Sequence, residues 1–158
     1  MPRTARITLT NACYHVITRG NQKQSVFINT LDYQQYLSLL VKYKKRFRFN
    51  LYCFCLMPNH VHLLIKVKNP ILLNKIMRGL NLSYTLYFNS KYGKIGHLWQ
   101  DRFKSKIIER DAYLIECIKY IEANPVRASL VKLLEEYPWS SCNFKAINNG
   151  LLDNLFSL

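Results

Sequence analysis

Two histidines, His60 and His62, are separated by one residue in a stretch of alternating apolar and polar side chains. In a β-strand, side chains at i and i+2 lie on one face, about 7 Å apart at their backbones. Two imidazoles at that distance can converge on a single metal ion. His60 and His62 are therefore candidate metal ligands. The alternative for so short a motif is a hydrogen-bonded pair on a half-buried sheet surface.

Tyr120 and Asn124 form a second candidate group, because residues four apart share one side of a helix. Both fall at the flank of a predicted apolar stripe, as does Tyr113. A metal held by the histidines and by an oxygen ligand such as Asn124 would polarise a phosphate. Tyr120 would then attack the phosphorus and form a covalent phosphotyrosine. The alternative is that Tyr120 is an ordinary edge residue in a chain with 11 tyrosines.

The charge distribution favours nucleic acid as the partner. Residues 1–100 hold 15 basic residues and a single acid, Asp32, whereas residues 101–158 hold eight of each sign. A surface with that excess attracts polyanions and releases their counterions on contact. Five cysteines, an odd number without a CxxC pair, indicate a reduced cytoplasmic protein. We find no secretory signal and no apolar run of membrane-spanning length.

The hydrophobic pattern predicts strands and helices that would position these groups. Strands are expected at 14–18, 51–57, 60–67 and 103–108, and helices at 32–46, from Asn69 to Gly93, and from Asp111 to about Asn124. Pro125 should end the last helix, since the residue before proline leaves the helical region. We interpret 1–144 as one domain and 145–158 as a short tail that forms a docking helix or part of an interface.

This order of elements, βαββαβ, predicts an α+β fold with a ferredoxin-like antiparallel sheet. Two helices would cover one face of the sheet, and an additional helix carrying Tyr120 would cover the other. His60 and His62 should point toward that additional helix, because Val61, Leu63 and Ile65 alternate with them and face the first two helices.

Five ordered motifs give the chain its resemblance to a known family. They are YHVITRGN (14–21), MPNHVHLL (57–64), GHLWQDRF (96–103), YIEANPVRA (120–128) and YPWSS (137–141). The chain resembles the single-tyrosine HUH transposases, and within them most closely the REP-associated tyrosine transposases. The resemblance covers nearly the whole chain, from about residue 2 to residue 144.

The resemblance implies a metal-dependent single-stranded DNA endonuclease and strand transferase that acts near hairpins. The family's tyrosine becomes linked to a 5′ phosphate and leaves a free 3′ hydroxyl. Its nucleophile falls on Tyr120, and its metal ligands fall on His60, His62 and Asn124. At the position of Asn124, relatives often have glutamine. The family metal is Mg²⁺ or Mn²⁺. Some relatives are homodimers that share active sites, whereas the REP-associated members work as monomers.

Further residues are predicted to contact DNA, with weaker support. They are Arg19, Asn21, Lys42, Lys44, Lys45, Arg46, Trp99, Gln100, Arg102 and Arg127. Trp99 would stack on an unpaired base unless it belongs to the core, and Arg127 would contact DNA or balance Glu122. His15 on the first strand is interpreted as a hydrogen-bonded sheet residue.

Three other functions are open at this point. A non-catalytic nucleic-acid-binding module on the same fold would place aromatic residues on its open sheet face, where this chain has His60 and His62. A decayed transposase would bind DNA without moving it. A hydrolase that activates water would need a base, and no carboxylate occurs between Tyr33 and Gln100 to supply one.

Overall fold

A four-stranded antiparallel sheet forms the centre of the computed structural model, which describes residues 9–109, 111–144 and 150–155. Its strands are β1 (Ala12–Arg19), β2 (Asn50–Met57), β3 (His60–Val67) and β4 (Lys104–Ile108), in the order β2-β3-β1-β4. The first strand therefore lies between the third and the fourth, as a βαββαβ chain requires when its sheet is antiparallel. This arrangement confirms the predicted ferredoxin-like fold.

Two long helices, α1 (Thr30–Phe47) and α2 (Pro70–Tyr92), contain the predicted helical segments. Asn69 caps α2 by accepting a hydrogen bond from the Ile71 amide, and Pro70 begins the first turn. Gly93 ends α2 in the left-handed conformation, with a φ of 62°. Both helices pack on the sheet face that carries Val61, Leu63 and Ile65, so the main core lies there.

The opposite face of the sheet carries a smaller core, covered by α3 (Asp111–Glu122). Cys53 and Cys55 lie in that core as small apolar side chains against Cys117 and Ile121. The helix ends at Glu122, and a short helix, α4 (Asn124–Arg127), follows with Pro125 in its first turn. The chain therefore bends just before Pro125, close to the predicted end of the helix.

Asp32 joins the first two helices and has no exposed surface. Its carboxylate accepts hydrogen bonds from the Ile28 and Asn29 amides at the start of α1. From α2 it accepts bonds from Tyr87, Lys91 and Tyr92, at 2.9, 2.8 and 2.6 Å. The single acid among residues 1–100 is thus buried and paired inside the fold, so residues 9–100 have no carboxylate on their surface.

The predicted tail packs back on the domain where it is described, at residues 150–155. Leu151 is buried in the main core. Asp153 accepts a hydrogen bond from the Leu51 amide and forms an ion pair with Lys44 at 2.7 Å. Residues 150–155 contain no helix, and the rest of the segment, 145–149 and 156–158, lies outside the described residues. No helix in the described ranges has the length and apolarity to cross a membrane.

Candidate active site

His60 and His62 occupy the start of β3, on the face covered by α3. Their alternation with the core residues of β3 puts both rings on that face, as predicted. The ring centroids are 4.9 Å apart and the ring planes meet at 75°. His62 is 3% exposed and His60 is half-buried, so the pair lies at the floor of the site with one side open.

Each histidine of the pair uses its Nδ1 in a hydrogen bond. His60 Nδ1 lies 2.6 Å from the side-chain oxygen of Asn59, and His62 Nδ1 lies 2.9 Å from Nε2 of His15. An amide oxygen only accepts, so His60 Nδ1 carries the proton and its Nε2 has a free lone pair. When His62 Nδ1 donates its proton to His15 in this hydrogen bond, His62 is the same tautomer as His60. Its Nε2 then also has a lone pair that can coordinate a metal.

His15 is the member of this group that the sequence did not assign to the site. Residue 15 of β1 lies opposite Leu64, which makes it the diagonal neighbour of His62 on the same face. Its ring stacks on that of His62 at a centroid distance of 5.2 Å. The earlier interpretation as a hydrogen-bonded sheet histidine is correct. Its partner, however, is a residue of the candidate metal site.

All three histidines are held in the neutral form that binds metals. Burial is the main reason that the pKa of His62 falls to about 3, and the neighbouring histidines and arginines lower it further. Burial and the charge of Arg19 lower the pKa of His60 to about 4. Burial and the charge of Lys106 lower the pKa of His15 to about 4. At neutral pH these imidazoles therefore carry no proton that a metal must displace.

Tyr120, in the last turn of α3, lies beside this histidine group. Its ring centroid is 6.0 Å from that of His15 and 6.2 Å from that of His62. Tyr120 is 44% exposed, so an incoming strand can reach part of the residue. Tyr113 lies two turns earlier on α3 and is 52% exposed. The structure therefore brings Tyr120 to the histidines, as the sequence predicted.

Asn124 is buried just after α3, and both the nitrogen and the oxygen of its amide group form hydrogen bonds. The nitrogen donates to the carbonyl oxygens of Tyr120 and Ile121, both at 3.2 Å. The oxygen accepts from Arg127 Nη2 at 3.0 Å. The guanidinium of Arg127 in turn lies over the Tyr120 ring, 4.0 Å from its centroid. Asn124 thus stabilises the bend before Pro125 and holds Arg127 against Tyr120.

The histidine pair fits a divalent metal, whereas Asn124 does not fit as its third ligand. Two neutral imidazoles with free Nε2 atoms can coordinate a divalent transition metal, and they are softer ligands than Mg²⁺ or Mn²⁺ usually takes. The Asn124 oxygen instead bonds to a guanidinium, whose positive charge opposes a cation at the same atom. No three His, Cys, Asp or Glu side chains within the described ranges form a metal-binding group. Water and phosphate oxygens would have to complete the coordination shell.

Residues 8–124 match the family model described as Transposase IS200 like, which covers well over half of the chain. The chain belongs to this transposase family. A Haemophilus influenzae protein described as a REP-associated tyrosine transposase is 27% identical over 108 residues, a match that spans 61% of each chain. The resemblance drawn from the five motifs is confirmed.

Solved structures share the fold of this transposase. One is the REP-associated tyrosine transposase bound to a REP hairpin, with a TM-score of 0.74 and 19% identity over 97% of this chain and 89% of that one. Another, from Deinococcus radiodurans, is named as a transposase and has a TM-score of 0.52 and 16% identity. It covers 77% of this chain and 96% of its own.

Several predicted DNA-contacting residues of the transposase gather at the same end of the sheet as the histidines. Arg19 is exposed and lies directly opposite His60 in the β1–β3 ladder. Asn21 follows in a short 3₁₀ turn, and the amide of Gln100 donates to the Arg19 carbonyl at 2.8 Å. Arg102 is exposed two residues beyond Gln100. The loop before β4 therefore borders the site.

Trp99 belongs to the core and does not offer a free stacking surface. It is 9% exposed, and its indole nitrogen donates to the carbonyl oxygen of Asn81 on α2 at 3.1 Å. Of the two interpretations given for this residue, core packing describes its place in the structure. Its neighbours in the segment, Gln100 and Arg102, hold the exposed positions.

The basic residues at the end of α1 lie far from the histidines. They are Lys42, Lys44, Lys45 and Arg46. The helix ends where β2 begins, and Asn50 of β2 pairs with Lys66 at the far end of β3 from His60. That separation is about 20 Å of strand. Lys44 is bound to Asp153, so a DNA contact at this surface depends on the other three cations.

Proposed function

We propose that this transposase is a metal-dependent, single-stranded DNA endonuclease and strand transferase that uses Tyr120 as its nucleophile. The observation that carries the proposal is the position of Tyr120, an exposed phenol whose ring lies 6.2 Å from that of His62. A nucleophile and a metal-binding pair at this separation can contact one phosphate between them. The family membership and the cationic surface of residues 9–100 support DNA as the substrate.

The reaction exchanges one phosphate ester for another. The Tyr120 oxygen attacks the phosphorus, and the bond from phosphorus to the 3′ oxygen of the preceding nucleotide breaks. The phenol proton passes to solvent at the exposed ring, and the departing 3′ oxygen takes a proton from water. The products are a 5′-phosphotyrosine and a free 3′ hydroxyl. Because the ester bond energy is retained, a second 3′ hydroxyl can reverse the step and join a new strand.

Each residue of the site has a part in this step. His60 and His62 would hold a divalent cation, Mg²⁺ or Mn²⁺, through their Nε2 atoms. A cation bound there offsets negative charge on the non-bridging phosphate oxygens. His15 and Asn59 fix the orientation of the two rings through their Nδ1 atoms. Arg127 holds a permanent positive charge over the Tyr120 ring, where it would stabilise negative charge that develops during the attack.

We infer that the nucleophile acts in cis, so that a monomer suffices for cleavage. Tyr120 and the histidine pair are contributed by one chain in this arrangement. Mixing two inactive variants, His60→Ala and Tyr120→Phe, tests the inference. A cis site stays inactive in the mixture. Recovery of activity would show instead that a homodimer shares tyrosines between its sites.

Hairpin DNA is proposed as the substrate class because one of the solved structures that share this fold is a transposase bound to a REP hairpin. The test uses imperfect hairpins with randomised single-stranded flanks, so that no recognition sequence has to be known. We expect Mn²⁺-dependent nicking that EDTA abolishes. The upstream fragment should carry a 3′ hydroxyl that a polymerase extends, and the downstream fragment a blocked 5′ end.

Three results would contradict the proposal. Downstream fragments with free 5′ phosphates would indicate a hydrolase that uses water. Binding of the pool without any nicking would favour a binding module or a decayed enzyme. Nicking that survives His60→Ala would remove the histidine pair from the mechanism. Gln34→Ala is the control, since Gln34 is exposed on α1, on the opposite side of the sheet from the histidines.

A further inference from the structure

A groove of about 830 Å³ lies between α2 and the segment 96–103, outside the site described above. Its floor is apolar and buried, and includes Met77, Leu98 and Phe103. Its rim is polar and exposed, with Arg78 on the helix side and Gln100 and Arg102 on the loop side. An apolar floor below a ring of hydrogen-bonding groups suits a flat heterocycle with polar edges.

The wall of the groove contains an unsatisfied acceptor. Asn81 lines the groove, and its side-chain nitrogen donates to Thr18 Oγ1 at 3.1 Å. Its side-chain oxygen is buried and has no hydrogen-bond partner. A buried acceptor without a partner costs free energy that an incoming N–H donor would recover. The exocyclic amines and ring N–H groups of nucleobases are donors of this kind.

The groove is joined to the end of the sheet that holds the histidines. The Asn21 amide donates to the Leu98 carbonyl, and the Gln100 amide donates to the Arg19 carbonyl, both at 2.8 Å. Arg19 lies opposite His60 in the ladder. The segment 96–103 therefore links the groove, which lies on the α2 side of the sheet, to the end of the sheet where a phosphate would bind. The exposed arginines at the rim can hold the phosphates on either side of a bound base.

We propose that this groove binds one unpaired nucleobase of the DNA strand that the histidine site cleaves. The proposal rests on the proposed function for its substrate and adds a base-binding site to it. Trp99, which lines the groove from the buried side, provides a reporter. Its indole N–H signal is one of two in the chain, and the other, from Trp139, belongs to a ring stacked on Tyr33 outside the groove lining.

The test is a titration of the full ¹⁵N-labelled chain with each of the four deoxynucleoside 5′-monophosphates, followed by NMR. We expect at least one of them to shift the Trp99 indole signal with a millimolar Kd, while the Trp139 signal stays in place. Deoxyribose 5-phosphate, which has the same phosphate but no base, should leave both signals unchanged. An equal shift with deoxyribose 5-phosphate would make the groove a phosphate site and overturn the proposal.

Two matched pairs of variants on α2 locate the binding. Arg78→Ala should weaken nucleotide binding about fivefold through the loss of one charged contact, whereas Lys75→Ala, exposed outside the groove, should not. Leu82→Phe fills the groove and should abolish binding. Leu86→Phe, one turn further along at a similar exposure, should not. Equal effects within either pair would contradict the assignment.

Failure of this proposal is separable from failure of the proposed function. If no nucleotide shifts Trp99 while hairpin nicking is intact, the groove assignment is wrong and the tyrosine mechanism stands. If nucleotides bind and fill the groove but no hairpin is nicked, the base site stands and the nuclease function is wrong.

Discussion

Arg127 covers one face of the Tyr120 ring, with its Cζ 4.0 Å from the ring centroid. Arg127 lies in α4, the short helix that follows the end of α3 at Glu122. Asn124 fixes the guanidinium from below. A permanent positive charge thus lies against the ring of the candidate nucleophile.

Replacing Arg127 should slow the covalent step without weakening metal binding. Arg127→Ala removes the charge beside the reacting oxygens, and we expect adduct formation to slow about a hundredfold. Arg127→Lys keeps a charge but loses the planar contact, so its rate of adduct formation should lie between those of the wild type and Arg127→Ala. The rate of adduct formation is measured under single-turnover conditions on a hairpin that the wild type cleaves. Lys119→Ala, on the exposed side of α3, is the control. An unchanged rate in Arg127→Ala would rule out this role.

Asn124 should act through Arg127 and not as a metal ligand. We expect Asn124→Ala to leave the Mn²⁺ affinity within about threefold of the wild type, because the amide oxygen is bonded to the guanidinium. Its effect on the rate should not add to that of Arg127→Ala, since both variants remove the same interaction. Isothermal titration with Mn²⁺ measures the affinity, and a double-mutant cycle measures the coupling between Asn124 and Arg127. A tenfold loss of affinity would instead restore Asn124 as a ligand.

His15 should influence the metal although it lies beyond the coordinating pair. His15→Ala removes the partner of His62 Nδ1, and second-layer partners of this kind change metal affinity about tenfold or more. We therefore expect weaker Mn²⁺ binding, measured without DNA. His15→Gln, whose amide oxygen can accept the same hydrogen bond, should recover part of it. The Gln34→Ala variant provides the baseline, and equal affinity in His15→Ala and Gln34→Ala would refute the expectation.

Asp32 should stabilise the fold in a pH-dependent manner. Burial alone would raise its pKa, but the hydrogen bonds from Lys91, Tyr92, Tyr87 and the Ile28 amide together lower it from 3.8 to about 2. A depressed carboxyl pKa stabilises the folded state above the unfolded value and loses that effect as the pH falls. The contribution, about 2 kcal/mol, should be complete above pH ~4 and lost as the pH falls toward ~2.

Urea unfolding of Asp32→Asn measures this contribution. At neutral pH the variant should lose about 2 kcal/mol of unfolding free energy, because a neutral amide accepts the hydrogen bonds from Lys91, Tyr87 and Tyr92 more weakly than the buried carboxylate does. The difference from the wild type should shrink below pH ~4, where the wild-type carboxylate begins to take up its proton. Glu116→Gln, an exposed change of the same charge, should stay within about 0.5 kcal/mol of the wild type. A pH-independent difference would contradict the account.

The sequence predicted the elements well because their signals are local. The alternation around Val61 and Leu63 defined β3 at its observed limits, and Asn69, Pro70 and Gly93 defined both ends of α2. The face on which His60 and His62 lie followed from the same alternation. Tyr120 reached the histidines because the fold class places the additional helix on that face.

The relationships that the sequence did not predict are those between distant segments. The alternation in β1 already set His15 on the face opposite Tyr14 and Val16, but its contact with His62 depends on the register between β1 and β3. The sequence predicts that Arg127 contacts DNA or balances Glu122, and its contact with the Tyr120 ring appears only in the structure. Lys44 is predicted to contact DNA, and its ion pair with Asp153 does not follow from the sequence because the two residues are more than a hundred positions apart.

The most direct test of the central claim is the identity of the residue that becomes linked to DNA. Wild type, Tyr120→Phe and Tyr113→Phe are incubated with the hairpin pool and Mn²⁺, and the adduct is digested and read by mass spectrometry. Tyr113 is the matched control, since it is exposed on the same helix. We predict an adduct on Tyr120 in the wild type and in Tyr113→Phe, and none in Tyr120→Phe. An adduct that persists in Tyr120→Phe would contradict the account.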